Sequence, residues 1–159
     1  MDYTYDDLSE QFQISRSVIQ RSIEGAYFSL PPRIVETLAY VEGKTVAQVN
    51  REYDLFVNKE LAKVHLPPVA LTKDTTLDDF DIWCSVLLRI NGVNFVGNVP
   101  HLSVARILKM NTSVIASFYT GRTAHLPAQT IERVSLIKEL KGGLKWLYVP
   151  TAMRLLQGR

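Results

Sequence analysis

Arg16, Ser17, Gln20 and Arg21 fall on one face of a short helix that opens after Ser15, and Val18, Ile19, Ser22 and Ile23 fall on the other. Guanidinium, carboxamide and hydroxyl groups at this spacing include no nucleophile, base or metal ligand set. Their chemistry is recognition. Arg16 and Arg21 can each form paired bonds to guanine, Gln20 can do so to adenine, and Ser15 and Ser17 can reach phosphate oxygens or either base. The rest of the chain adds little reaction chemistry. His65, His101 and His125 are scattered, no Cys/His pair has ligand spacing, and there is neither a phosphate-binding glycine loop nor a nucleophile elbow. We expect no enzymatic activity and no cofactor or metal.

The element that must position these residues is a pair of short helices. Ser15 is a good N-cap residue, and Leu8 and Phe12 lie upstream at the spacing of a preceding helix that packs on Val18 and Ile19. Two such helices with a tight turn between them make a helix-turn-helix, whose second helix spans residues 15–24. The same pattern recurs 96 residues later without a gap, and seven of the 24 pairs from Ile14 to Thr37 are identical, among them Gly25/Gly121, Leu30/Leu126 and Pro31/Pro127. These identities fall on the helix interior, the helix stop and the proline that opens the next helix, so the chain reads as an internal duplication. In the second copy the helix spans residues 111–120, where Asn111 suits adenine, Thr112, Ser113 and Ser117 are short donors, and Ala116 can touch a thymine methyl. Arg106, Lys109, Arg122 and His125 flank it and are expected to hold phosphates.

Residues 14–21 resemble the turn and recognition helix of phage-repressor (Cro-type) domains. The run from Ile14-Ser15-Arg16 through Leu30-Pro31 and Ile34-Val35 also resembles the DNA-binding domain of plasmid partition proteins of the ParB/SopB type. Together the resemblance covers roughly 35 residues in each half. Ser22 stands where the family has an apolar residue, and Phe118 restores it in the second copy. The family also has a leading helix, for which the first copy, starting so close to Met1, is expected to have no room. The resemblance implies a sequence-specific protein of double-stranded DNA, a transcriptional regulator of a plasmid or phage. A partition or DNA-transfer accessory protein and a protein-interaction adaptor that keeps the fold are the alternatives. If the two recognition helices stood about 34 Å apart on one side, a single chain could span two adjacent half-sites.

Charge is divided unevenly. Residues 1–98 hold 9 Lys/Arg and 14 Asp/Glu, net −5, whereas residues 99–159 hold 9 and 2, net +7. Arg106, Lys109, Arg122, Arg133, Lys138, Lys141 and Lys145 are therefore the expected electrostatic footprint. Asp6, Asp7 and Glu10 put carboxylates in the leading turn of the first copy, which repel phosphate but suit a helix N-terminus.

The expected fold is mainly all-α, with two pseudo-repeated helical units and at most one short β element, around 93–99 or 144–149. Residues 1–64 form the first unit, 65–76 a proline-containing connector, and 77–159 the second unit with its leading helix and tail. Thr76 is expected to cap a helix from Leu77 to Ile90 with Leu77, Phe80, Cys84, Leu87 and Leu88 inward. A helix over 46–64 carries an apolar stripe, Val49, Tyr53, Phe56, Leu61 and Val64, which needs cover from the first copy or from a dimer partner. The apolar tail 144–159 is a second candidate partner surface. A lone cysteine, an acidic start and the lack of a long apolar run suggest a cytoplasmic protein with no membrane partner.

Overall fold

The computed structural model describes residues 4–141, which form eight helices, with 62% of residues helical and no strand among those described. Capping residues set most of the boundaries. Thr4 and Asp7 close a reciprocal capping box at the start of α1 (Tyr5–Phe12), and Thr45 and Gln48 do the same for α4 (Val46–Leu61). Thr76 Oγ1 accepts from Asp79 N at 3.2 Å to start α5 (Leu77–Ile90). Pro31 and Pro127 precede α3 (Pro32–Glu42) and α8 (Ala128–Leu140) with nearly identical dihedrals. Asn111 caps α7 (Thr112–Tyr119) through its side chain. Ser15 holds the corresponding place before α2 (Arg16–Ile23) but makes no capping bond, because its hydroxyl pairs with that of Ser17 at 2.9 Å.

The N-terminal half (α1–α4) and the C-terminal half (α5, then α6 at His101–Leu108, α7 and α8) share a backbone register. Helices α1/α6 and α2/α7 start and stop 96 residues apart, and α3/α8 start 96 apart. The turn inside each helix pair holds a left-handed residue, Gln13 (φ 53°) and Lys109 (φ 54°), and the stop after each second helix holds another, Gly25 (φ 75°) and Gly121 (φ 77°).

The core is one continuous cluster that runs through both halves and includes Leu66 and Leu71 of the connector. The connector is tied down by polar bonds as well. Asn91 accepts from His65 N at 2.9 Å and donates to His65 O at 2.8 Å, and Trp83 Nε1 donates to Val69 O at 3.1 Å. In α5, Phe80, Cys84, Leu87 and Leu88 are buried as expected and Trp83 joins them, but Leu77 is 38% exposed. Its place is the first position of the helix, beyond the edge of the core. In α4, Val49, Tyr53, Val57 and Leu61 are buried inside the chain, while Phe56 is only partly covered. Residues 93–99 form bends with no strand, and Val96 projects into solvent. The stretch 144–149 and the tail to 159 lie outside the described residues.

Candidate nucleic-acid interface

The fold brings α2 against the α6–α7 turn across one cleft of about 390 Å³. From the N-terminal half it is lined by Ser17, Gln20, Arg21, Glu24 and Ala26, and from the C-terminal half by Leu102, Ala105, Arg106, Lys109, Met110, Asn111 and Thr112. Seven recognition candidates from both halves therefore converge: Ser17, Gln20, Arg21, Arg106, Lys109, Asn111 and Thr112. Three of them are cations, against the single carboxylate of Glu24. Helix α2 and the α6–α7 turn thus line opposite walls of one cleft, whereas two half-sites would require recognition helices side by side about one helical repeat apart.

The remaining candidates lie elsewhere. Ser15 and Arg16 are exposed at the start of α2, and Arg16 lies 3.6 Å from Asp6 in an ion pair open to solvent on both sides. Such a pair contributes little. Ser113 is exposed on α7 and Ser117 half-buried beside it, its hydroxyl donating to Ser113 O at 2.7 Å. Arg122 and His125 are exposed in the loop after α7. His125 lines a different concavity, with Lys73, Asp74 and Thr75 of the connector.

Local bonds decide which donors are available. Gln20 Nε2 donates to Glu24 Oε1 at 3.2 Å. Arg21 folds back on its own helix, with Nε donating to Ser17 O and Nη2 to Ser17 Oγ, both at 3.2 Å, and its guanidinium stands 5.8 Å from the centre of the Tyr27 ring. Asn111 Oδ1 accepts from Ser113 N at 3.2 Å, so one of its two lone pairs is already committed to the helix cap. Arg106 and Lys109 of the C-terminal wall face the cleft.

Arg133 departs from the expected footprint. It is 1% exposed, at the centre of the seam between the halves. Its Nη1 donates to Leu108 O at 3.1 Å and Lys109 O at 2.6 Å, and its Nη2 to Tyr27 O at 3.3 Å, with the ring of Phe28 4.9 Å from its carbon centre. The Tyr53 hydroxyl donates to that same Tyr27 carbonyl. Burial pulls the Arg133 pKa below its ordinary value, and burial pushes the Tyr53 hydroxyl up to about 12 against the opposing pull of Arg133. The signal in the sequence was the register of α8, where Thr130, Arg133 and Ile137 share one face and all three are buried. An arginine inside an apolar stripe marks a buried donor fork better than a phosphate contact. Because Arg133 holds the carbonyls of Leu108 and Lys109, it fixes the turn that carries Lys109 and Asn111.

Among the described residues no group of His, Cys, Asp and Glu is placed to hold a metal ion, and no helix is long and apolar enough to cross a membrane. Comparison with family models, curated proteins and solved structures gives no match.

Proposed function

We propose that the chain binds double-stranded DNA in a sequence-specific manner through the cleft between α2 and the α6–α7 turn, as a regulator of a mobile genetic element. The observation that carries this reading is the convergence of Arg21, Arg106 and Lys109 with Gln20, Asn111 and Thr112 in one solvent-open cleft. A major groove about 12 Å wide admits one helix, and the helix N-terminus meets base edges. In this proposal α7 is that helix. Thr112 and Ser113 at its start read bases, and the cations on either wall hold the flanking phosphates. The electrostatics favour α7 over α2, since the C-terminal part of the chain carries the positive excess and α2 sits beside Asp6 and Glu24.

The same local pairing favours one second reading, in which the N-terminal half binds a protein. Arg16, Gln20 and Arg21 are each engaged by a neighbour on α1 or α2, and that satisfies them without DNA. Selection of bound duplex from a random pool separates the readings. A single uninterrupted motif is expected. A two-part motif would mean that both helices read bases separately, and no enrichment at low salt would remove DNA binding in favour of the adaptor.

A further inference from the structure

A second concavity, of about 220 Å³, opens in the N-terminal half between α1, α2, α3 and α4. Its walls are almost wholly apolar, with Ile23, Ile34, Leu38 and Phe56 among them, and its carboxylates are Glu42 and Glu52. In the C-terminal half the equivalent place is filled by α5, whose Phe80 packs edge-on to Phe118 at 5.5 Å and tilted against Tyr119 at 5.9 Å. Positions 22 and 23 stand 96 residues before those two, and both line the groove. Ile23 is 46% exposed there. The groove is thus a seat for an apolar helix face, and α4 covers only one side of it through Val49 and Tyr53.

We infer that the occupant is the segment 147–156 of the same chain. This stretch, Leu147-Tyr148-Val149-Pro150-Thr151-Ala152-Met153-Arg154-Leu155-Leu156, has six large apolar side chains that need cover from water as much as the groove does. Charge agrees. Residues 142–159 carry Lys145, Arg154 and Arg159 and no carboxylate side chain. The two carboxylates of the groove rim share one cation, Lys44, 3.0 Å from Glu42 and 2.8 Å from Glu52, so the rim keeps one negative charge to meet the cations of the segment. Reach agrees as well. Helix α8 passes the N-terminal half at Arg133, which shares the Tyr27 carbonyl with groove-lining Tyr53. From there to Lys141 the chain advances about 12 Å at the helical rise, and five residues, 142–146, can span at most about 17 Å, enough to cover that distance in return. The segment that follows is therefore within reach of the groove, where its apolar side chains would supply what α5 supplies in the other half.

The test replaces Ile23 in the full chain with the photo-cross-linking residue p-benzoylphenylalanine, in an equal mixture of isotopically light and heavy protein. After irradiation and digestion, cross-linked peptides from 142–159 whose partners are both light or both heavy are expected. Light–heavy pairs would assign the groove to a second copy, and cross-links that omit 142–159, or none, would leave it to another occupant; each overturns the proposal. A second measurement uses Ile23→Glu, a change at a half-exposed position that the fold tolerates. Amide exchange of 147–156 is expected to quicken about tenfold in this variant while α5 is unaffected, and unchanged exchange overturns the assignment.

Discussion

At the scale of the residue, the determining group is Arg133. A buried guanidinium with no ion pair to a carboxylate among the described residues is tolerated because three main-chain oxygens and an aromatic face receive its charge. Charge-assisted bonds to main-chain oxygens stabilise by more than neutral ones, and truncation strands those oxygens in the core. Arg133→Ala is expected to lower the unfolding free energy by about 3 kcal/mol in urea titrations. Arg133→Lys is expected to recover less than half, because an ammonium cannot fork between the Leu108, Lys109 and Tyr27 carbonyls. The neighbouring Tyr53 gives a pH signature. Its folded pKa, about 12, lies above the ordinary value of 10.0, mainly through burial. The protonated hydroxyl is therefore the form that the fold favours, and its contribution is complete below pH 10 and lost as pH rises towards 12. Tyr119, also raised by burial, adds to the alkaline loss. Tyr53→Phe is expected to be less stable at neutral pH and to flatten the stability curve between those limits. An unchanged slope would place the alkaline sensitivity elsewhere.

At the scale of the element, the helix stops of the two halves look alike in backbone and differ in surroundings. Gly25 and Gly121 share a left-handed conformation. An added Cβ at Gly121 meets nothing within 4 Å, whereas at Gly25 it comes within 3.1 Å of the Phe56 ring and 3.4 Å of Val57. Gly121→Ala should cost only the backbone term, about 1 kcal/mol, and Gly25→Ala about twice that, measured as paired thermal or urea unfolding curves. Elements were also what could be read before any coordinates. Thr76, Pro31 and Pro127 placed three helix starts within a residue, because caps and prolines act on their own neighbours. Leu77 was misplaced because periodicity does not reveal where the core ends. Polar positions on the short helices were legible for the same local reason, and seven of the residues singled out line one cleft. Their convergence was not legible. It depends on Arg133 reaching 106 residues back to Tyr27, and on α4 meeting α8, contacts that no local pattern encodes.

At the scale of the whole molecule, the cleft makes a quantitative statement about salt. Each phosphate neutralised contributes about 0.9 to the slope of log affinity against log salt. Arg21→Ala, Arg106→Ala and Lys109→Ala are each expected to reduce the slope by about 1 on the proposed duplex. Arg16→Ala, outside the cleft and beside Asp6, is expected to leave it unchanged. Equal slopes for all four variants would detach the cleft from the phosphate backbone. These measurements read the assembled molecule, because each wall of the cleft comes from a different half of the chain.

The Tyr27 carbonyl, gripped at once by Tyr53 and Arg133, has one more consequence. With both halves clasped to a single oxygen, the chain behaves as a gauge of fixed span, unlike tethered heads that can swing apart. On the proposed duplex the two walls could not part to follow a wider groove, so any adjustment of fit would have to come from the DNA.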